Sequence, residues 1–386
     1  MTAHAGGTTA SRHLPALDGI RGVAIIWVVF HNCLANFAPA GGPLHLIDLL
    51  ARPGWIGVQI FFALSGFLIT AGLLRTQGVR NYFSGFYARR ALRILPLYYG
   101  VLLVSLVMLP RLVGSQGVLH QAVDHQATLW LFTSNWSSAS VYGFSHFWSL
   151  AVEEQFYLMW PFLVYRLGPR PLLAACGGIA LASLIVRIGM VLHGASPNAV
   201  YMETPCRMDA LALGSAGACL IRIPSICNYV KARLAVIGTA TFCLFLAGIP
   251  LTAAYDEGRA GCEIYGYTIL AWSCAVFVTG VAMTDGTRPS RISAALRWRV
   301  LRSCGTYSYA MYVFHEMLHK LLVQPWLAAR FGGYPPAYVL FAASVAIFLA
   351  SYALAFVSYH YFERHFLALK RLFEPRREHV QPAHLT

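Results

Sequence analysis

Charge is what this sequence has least of. Only 11% of its 386 residues are Asp, Glu, Lys or Arg, just 15 are acidic, and 58% are hydrophobic, with a mean hydropathy of +0.58. A soluble domain carries about a quarter charged residues, so a water-soluble globular enzyme is excluded and an integral membrane protein is expected. Paired cysteines are missing too. The nine Cys are scattered, with no CxxC pair and several inside apolar runs, which argues against a disulfide framework or a thiolate metal site. No internal repeat is visible and no Ser/Pro-rich linker leads to a second globular domain. No small-residue cleavage pattern follows a short apolar core near the start, so the first apolar segment is expected to serve as an uncleaved anchor.

Apolar runs supply the organisation. Ten segments are expected to be helices crossing the membrane, at 19–36, 55–74, 94–110, 147–165, 171–192, 207–222, 234–254, 264–284, 303–323 and 338–361. A stretch at 128–136 is too short to cross and reads as interfacial or re-entrant. The fold class is therefore all-α, a polytopic transmembrane helix bundle with one membrane domain over 14–367. The tails at 1–13 and 368–386 are too small to fold alone. With both termini placed in the cytoplasm, 21 of the 29 Lys and Arg fall on cytoplasmic connections. Four fall outside (Arg52, Arg111, Arg259, Arg330), and Arg21, Arg187, Arg207 and Lys320 sit within segments. That asymmetry is the positive-inside signal. It accounts for the net charge of +14 through topology and anionic lipid, without nucleic acid.

Ionisable side chains inside spanning helices mark candidate function, because the bilayer penalises them. The first segment, LDGIRGVAIIWVVFH at 17–31, carries Asp18, Arg21 and His31. Arg21 and His31 are ten residues apart, about 15 Å along a helix and within about 80° of one face. Asp18 points elsewhere and is not expected to partner His31. In FFALSGFLIT, 61–70, the small pair Ser65–Gly66 reads first as close helix packing. The following loop groups Arg89, Arg90 and Arg93 with no acidic residue between 75 and 99, a fork suited to polyanionic phosphate as well as to lipid headgroups.

HFWSLAVEEQFYLMWP, 146–161, places Glu153 and Glu154 inside the outer end of the fourth segment. The expectation is that Glu153 lies at the depth of His31 and orients it as a general base. CRMDALALG, 206–214, holds Arg207 and Asp209, which read as structural ions pairing across the bundle. HEMLH, 315–319, matches the H-E-x-x-H zinc pattern. An intramembrane metalloprotease takes a further ligand from an LDG sequence, but that sequence follows the zinc pattern in such enzymes and here precedes it. No metal is expected. A transporter without covalent chemistry would also bury ionisable residues, yet would not need an arginine cluster suited to phosphates.

These motifs, together with TYSYAMYVFH at 306–315 and YHYFERHF at 359–366, occur in an order that resembles acyltransferase family 3 over nearly the whole chain. The resemblance implies about ten transmembrane helices in the cell (inner) membrane, a cytoplasmic acyl-CoA donor, usually acetyl-CoA, and transfer to a hydroxyl of a carbohydrate, a glycolipid or a macrolide-like small molecule. It implies that Arg21 and His31 form the first-helix Arg–His pair and that Arg90 and Arg93 form the R-x-x-R motif. It prefers Glu153 to Glu154 and gives His315 a family role unrelated to zinc. The fused extracytoplasmic SGNH-type domain of some members is absent from this sequence. For the oxyanion, Asn135, Trp136 and Ser149 are candidates, and Trp148 lies in the same motif as Glu153.

Overall fold

A computed structural model describes residues 14–34, 50–113, 125–136, 141–285, 290–332 and 335–375. The tail at 1–13 and residues 376–386 of the other tail lie outside the described residues. Among the described residues there is no strand, and ten helices of 18 residues or more each overlap one expected segment, the third starting at Tyr82 where 94 was expected. They are α1 (Pro15–Leu34), α2 (Ile56–Thr76), α3 (Tyr82–Leu102), α4 (Phe147–Arg166) and α5 (Pro169–Leu192). The second half comprises α6 (Thr204–Arg222), α7 (Leu234–Leu251), α8 (Tyr267–Thr284), α9 (Arg299–Met317) and α10 (Ala337–Ser358). The protein is an all-α, multi-pass membrane protein.

Seven of the helical stretches are long and apolar enough to cross a bilayer. An eighth crossing is counted if Pro197–Arg222 and Pro224–Ala232, bent by 104°, act as one. Ten helices are thus present where seven or eight crossings have the length and apolarity expected of them. The helices below that mark, α4 and α9, carry Glu153, Glu154 and Gln155, and His315 and Glu316, respectively. Those side chains lower the apolarity of the two helices, together with Arg299 and Arg302 in α9.

Two crossings make the core. Helix α1 lies against α9, where a Cβ on Gly22 would stand 1.9 Å from the Leu301 carbonyl oxygen and one on Gly305 would stand 1.8 Å from that of Asp18. Helix α2 lies equally close to α6, and a Cβ on Gly66 would stand 2.0 Å from the Leu211 carbonyl oxygen. Only glycine admits such backbone approach, and close packing of small residues is how helices associate in lipid. Gly66 therefore fills the packing role expected of it.

One end of the bundle gathers the basic residues. There Gln77 donates to the Val164 carbonyl at 2.8 Å, joining the ends of α2 and α4. Asp285, just past α8, accepts from the Ala16 amide at 3.4 Å and from Arg297 Nε at 2.7 Å, tying the start of α1 to the chain before α9. The short helix Ala127–Trp130 does not cross. It folds back on α3, with Tyr98 donating to the Leu129 carbonyl at 2.8 Å and Tyr99 to that of Trp130 at 3.1 Å.

Helix α4 begins deep inside the bundle. Val141, Phe144 and His146 before it are buried, and Ser149 in its first turn stands 2.7 Å from the Tyr312 hydroxyl of α9. Its height is set by this packing.

Candidate active site

Two cavities meet inside the bundle. The first has a volume of about 100 Å³ and opens toward the basic end, with Arg21, Arg90, Arg93, Glu153 and Glu154 in its wall. Arg90 and Arg93, three residues apart on α3, share a face as their spacing dictates. The Arg90 guanidinium carbon lies 4.3 Å from the centre of the Tyr157 ring. The Tyr157 hydroxyl shares a short hydrogen bond with Ser65 Oγ, and the Glu153 carboxylate faces both hydroxyls with Arg90 and Arg21 alongside. Ser65 thus belongs to the cavity as well as to the helix contact. Arg21 also lies 3.6 Å from Asp18, one turn below it on α1.

Arg89 departs from the expected phosphate cluster. It donates to the Phe373 carbonyl, so it ties α3 to the 369–373 turn and contributes nothing to the cavity. Four residues from Arg93, Arg89 starts within about 40° of the same face, so its contact with the Phe373 carbonyl, and not helical rotation, is what engages it elsewhere.

The second cavity, about 370 Å³, lies toward the opposite end, with His31, Asn32, Trp148, Tyr201, Glu257 and Glu316 among its walls. Val58 and Tyr312 line both cavities and form the partition between them. His31 and Glu153 are on opposite sides of that partition, so the expected His31–Glu153 pair is not formed. The expectation took α4 to begin at the membrane surface. In the packed bundle Glu153 shares the first cavity with Arg21 instead.

A backbone group orients His31 instead. Its Nδ1 lies 3.2 Å from the Ala51 carbonyl oxygen, which can only accept. This contact puts a proton on Nδ1, and the His31 side chain lines the second cavity. Gly54 makes this geometry possible, since a Cβ there would stand 2.6 Å from the His31 Cβ and 2.4 Å from the Trp27 carbonyl oxygen.

His315 is buried and has both nitrogens occupied. Nδ1 lies 2.7 Å from the Tyr312 carbonyl oxygen and Nε2 lies 2.8 Å from Asn32 Nδ2. Glu316 accepts from Ser145 Oγ and has an oxygen 3.2 Å from His146 Nδ1. The apparent zinc motif is thus divided between separate hydrogen-bonding partners. Among the described residues, no group of three or more His, Cys, Asp or Glu side chains is placed to hold a metal ion.

Asp209 pairs across the bundle as expected, and its partner is Arg187 of α5, at 2.9 Å with both side chains fully buried. Breaking such a buried pair costs about 3–5 kcal/mol. Arg207 has no such partner. Its buried guanidinium nitrogens make no hydrogen bond, and its carbon lies 4.5 Å from the Tyr267 ring centre, 5.0 Å from that of Tyr201 and 5.6 Å from that of Trp148. Cation–π attraction replaces the expected ion pair.

Asn135 is removed as an oxyanion candidate. It donates to Thr204 Oγ1 at 2.8 Å and accepts from Gln155 Nε2 at 2.8 Å, joining the start of α6 to α4. Trp136 is likewise engaged, donating to Gln155 Oε1 at 3.1 Å.

Sequence reasoning passed over Asn32, His146, Glu257 and the pairing role of Arg187. The last was legible, because an arginine within an apolar segment requires a partner, and Asp209 required one too. The other three acquire meaning only from what stands opposite them.

A family model described as an acyltransferase domain matches residues 14–359. The chain belongs to acyltransferase family 3. This acyltransferase domain is 30% identical over 336 residues to YrhL of Bacillus subtilis, an alignment covering 80% of this chain and 49% of the relative. It is 30% identical over 327 residues to the peptidoglycan O-acetyltransferase OatA of Listeria monocytogenes (79% of this chain, 49% of the relative). With the O-acetyltransferase OatA of Staphylococcus aureus it shares 27% identity over 331 residues (79% of this chain, 50% of the relative). The chain thus spans about half the length of these relatives. No solved structure matches it.

Proposed function

We propose that this acyltransferase domain transfers an acetyl group from cytoplasmic acetyl-CoA to a hydroxyl of a cell-envelope carbohydrate. The observation that carries the reading is the pair of cavities sharing Val58 and Tyr312, with guanidinium groups in one and a histidine held by the Ala51 carbonyl in the other. Arg90 and Arg93 bind donor phosphates at the basic end, which the charge asymmetry assigns to the cytoplasm. Glu153 and Arg21 hold the arginine cavity together, so Glu153 acts through its neighbours and not through His31. Glu154, in the same wall, has a buried carboxylate oxygen without a hydrogen bond.

The flexible pantetheine arm carries the thioester past Val58 and Tyr312. His31 Nε2 then takes the proton of the acceptor hydroxyl as its oxygen attacks the carbonyl carbon. A carbon–oxygen bond forms, the carbon–sulfur bond breaks, and the CoA thiolate recovers the proton from the imidazolium. The acetylated hydroxyls named for the OatA relatives favour acetyl as the acyl group, and the peptidoglycan named for the Listeria protein favours a carbohydrate acceptor over a macrolide-like one.

The test is calorimetric titration of acetyl-CoA into the full chain in nanodiscs, followed by transfer of radiolabelled acetyl to solubilised cell-wall glycans. Donor binding competed by free CoA, with label appearing on the glycan, is expected. A folded wild-type chain that binds no acetyl-CoA ends the reading.

A further inference from the structure

The turn before α8 is strained. Ala253, Ala254 and Tyr255 have φ values of 49°, 60° and 59°, three consecutive non-glycine residues in the left-handed region. Each such residue costs about 1–3 kcal/mol and persists only where its surroundings over-determine it. Those surroundings are present. The Tyr255 hydroxyl donates to the Phe245 carbonyl at 2.7 Å, its ring stacks on Phe245, and its amide donates to Thr252 Oγ1 at 2.9 Å. Trp55 Nε1 donates to the Tyr255 carbonyl at 3.2 Å. The segment 51–55 therefore braces this turn through Trp55 while orienting His31 through Ala51 and Gly54.

What the turn delivers is Glu257. This side chain lines the second cavity, the one that holds His31, and its Oε2 is buried without a hydrogen-bond partner. Tyr201 hydrogen-bonds this carboxylate and the Arg207 guanidinium stands near it, yet Oε2 is left unpaired; such a buried oxygen is costly, so it keeps a place for a further donor. Nearby stands an aromatic wall of Trp148 and Tyr201, with ring centres 4.8 Å apart, both also in contact with the Arg207 guanidinium. Asn198 adds an amide to the same wall. The volume of about 370 Å³ lies within the range of small-molecule sites.

We propose that the space between Glu257 and His31 is the glycan subsite, in which a pyranose ring lies on the Trp148–Tyr201 face and donates a hydroxyl or N-acetyl N–H to Glu257. Aromatic faces suit the apolar C–H side of a sugar ring, and a charged acceptor suits its hydroxyls. The proton acceptor and the sugar-binding carboxylate then face one another across the acceptor, fixing which hydroxyl meets His31. This inference rests on the carbohydrate-acceptor reading above and assigns it residues.

The test uses chitotetraose as the glycan probe, titrated into the full chain in nanodiscs with acetyl-CoA binding measured in parallel. Glu257→Ala should weaken chitotetraose binding tenfold or more, and Glu257→Gln, which keeps the shape and one acceptor oxygen, should weaken it less. Tyr201→Leu, which removes the platform ring and its hydrogen bond to Glu257 but none of the hydrogen bonds of Tyr255, should weaken it as well. Wild-type binding of chitotetraose that none of these changes weakens overturns the proposal. So does a wild-type chain that binds acetyl-CoA but not chitotetraose, and this leaves the donor site standing. Failure to bind acetyl-CoA counts against the acetyltransferase reading instead.

Discussion

Asn32 Nδ2 stands 2.8 Å from His315 Nε2, and the Tyr312 carbonyl oxygen stands 2.7 Å from the other nitrogen of that ring. A carbonyl can only accept, so His315 Nδ1 carries the proton and its remaining lone pair is taken by Asn32. One residue before Asn32, His31 has its Nδ1 on the Ala51 carbonyl and lines the second cavity. In both rings Nδ1 meets a carbonyl oxygen; Asn32 occupies Nε2 of His315, whereas the contacts of His31 are to the backbone of 51–52.

Their substitutions should therefore differ in kind. His31→Ala is expected to lose about 100- to 10,000-fold in transfer rate while retaining acetyl-CoA binding, as removal of a general base does. His315→Ala should instead lower stability by about 1–3 kcal/mol, because a fully buried ring is removed and the half-buried Asn32 donor is left unpaired. Turnover normalised to folded protein decides between them. A His31→Ala enzyme within a few-fold of wild type would remove the base assignment.

The three arginines of α3 should separate as well. Arg90→Ala and Arg93→Ala are each expected to weaken acetyl-CoA binding by about tenfold or more, since a hydrogen bond to a charged group contributes about 1.5–3 kcal/mol. Arg89→Ala should leave donor affinity at the wild-type value and expose the 369–373 turn to proteolysis, because Arg89 is held by the Phe373 carbonyl. Calorimetry on all three variants, with limited proteolysis of the C-terminal stretch, checks the division. Equal losses from all three would restore a single cluster.

Gly54→Ala tests the orientation of His31 from outside the cavity. The added methyl would meet the His31 Cβ at 2.6 Å and a backbone oxygen at 2.4 Å, so α1 or the 52–55 turn must shift. The expected result is a drop in kcat with donor affinity preserved, because positioning errors of about 1 Å near reacting groups cost roughly 100-fold. Gly72→Ala is the matched control, with nothing within 4 Å of its Cβ. A Gly54→Ala enzyme as active as the Gly72→Ala control would disconnect this turn from catalysis.

Asp285 gives the fold an acid limit. Burial raises its pKa, but the Ser293 hydroxyl at 2.5 Å, Arg297 and the Ala16 amide outweigh burial and hold the carboxyl below its ordinary value. A depressed folded-state pKa stabilises the folded form above the unfolded-state value of about 3.9, and that stability is lost as pH falls through the folded value. Thermal melts from pH 7 to pH 3 should show wild type losing stability at the acid end. Asp285→Asn should start lower at pH 7 and fall less. Parallel curves for the two proteins would show that Asp285 is not the group responsible.

Much of the architecture was legible because it is local. Each expected apolar segment carries a helix, since twenty or so apolar residues have no other way to satisfy their backbone in lipid. Gly66 and the face shared by Arg90 and Arg93 follow from helical geometry alone, and the ordered motifs placed the chain in its family. Asp209 as half of an ion pair followed from the cost of a lone buried charge.

Height was decided only by the tertiary structure. The apolar content of α4 says that it belongs in the bundle, but packing of 141–149 against α9 sets where it starts. At 1.5 Å per residue, Arg21 and His31 stand about 15 Å apart along α1, so the height of α4 decides which of the two Glu153 can approach. Likewise the sequence marks Arg207 as a charge needing company, while the rings of Tyr201 and Tyr267 that supply it converge from separate parts of the chain. Helix formation depends on neighbours within a few residues, whereas a site depends on the relative heights of helices that are distant in sequence, and packing between them is what sets those heights.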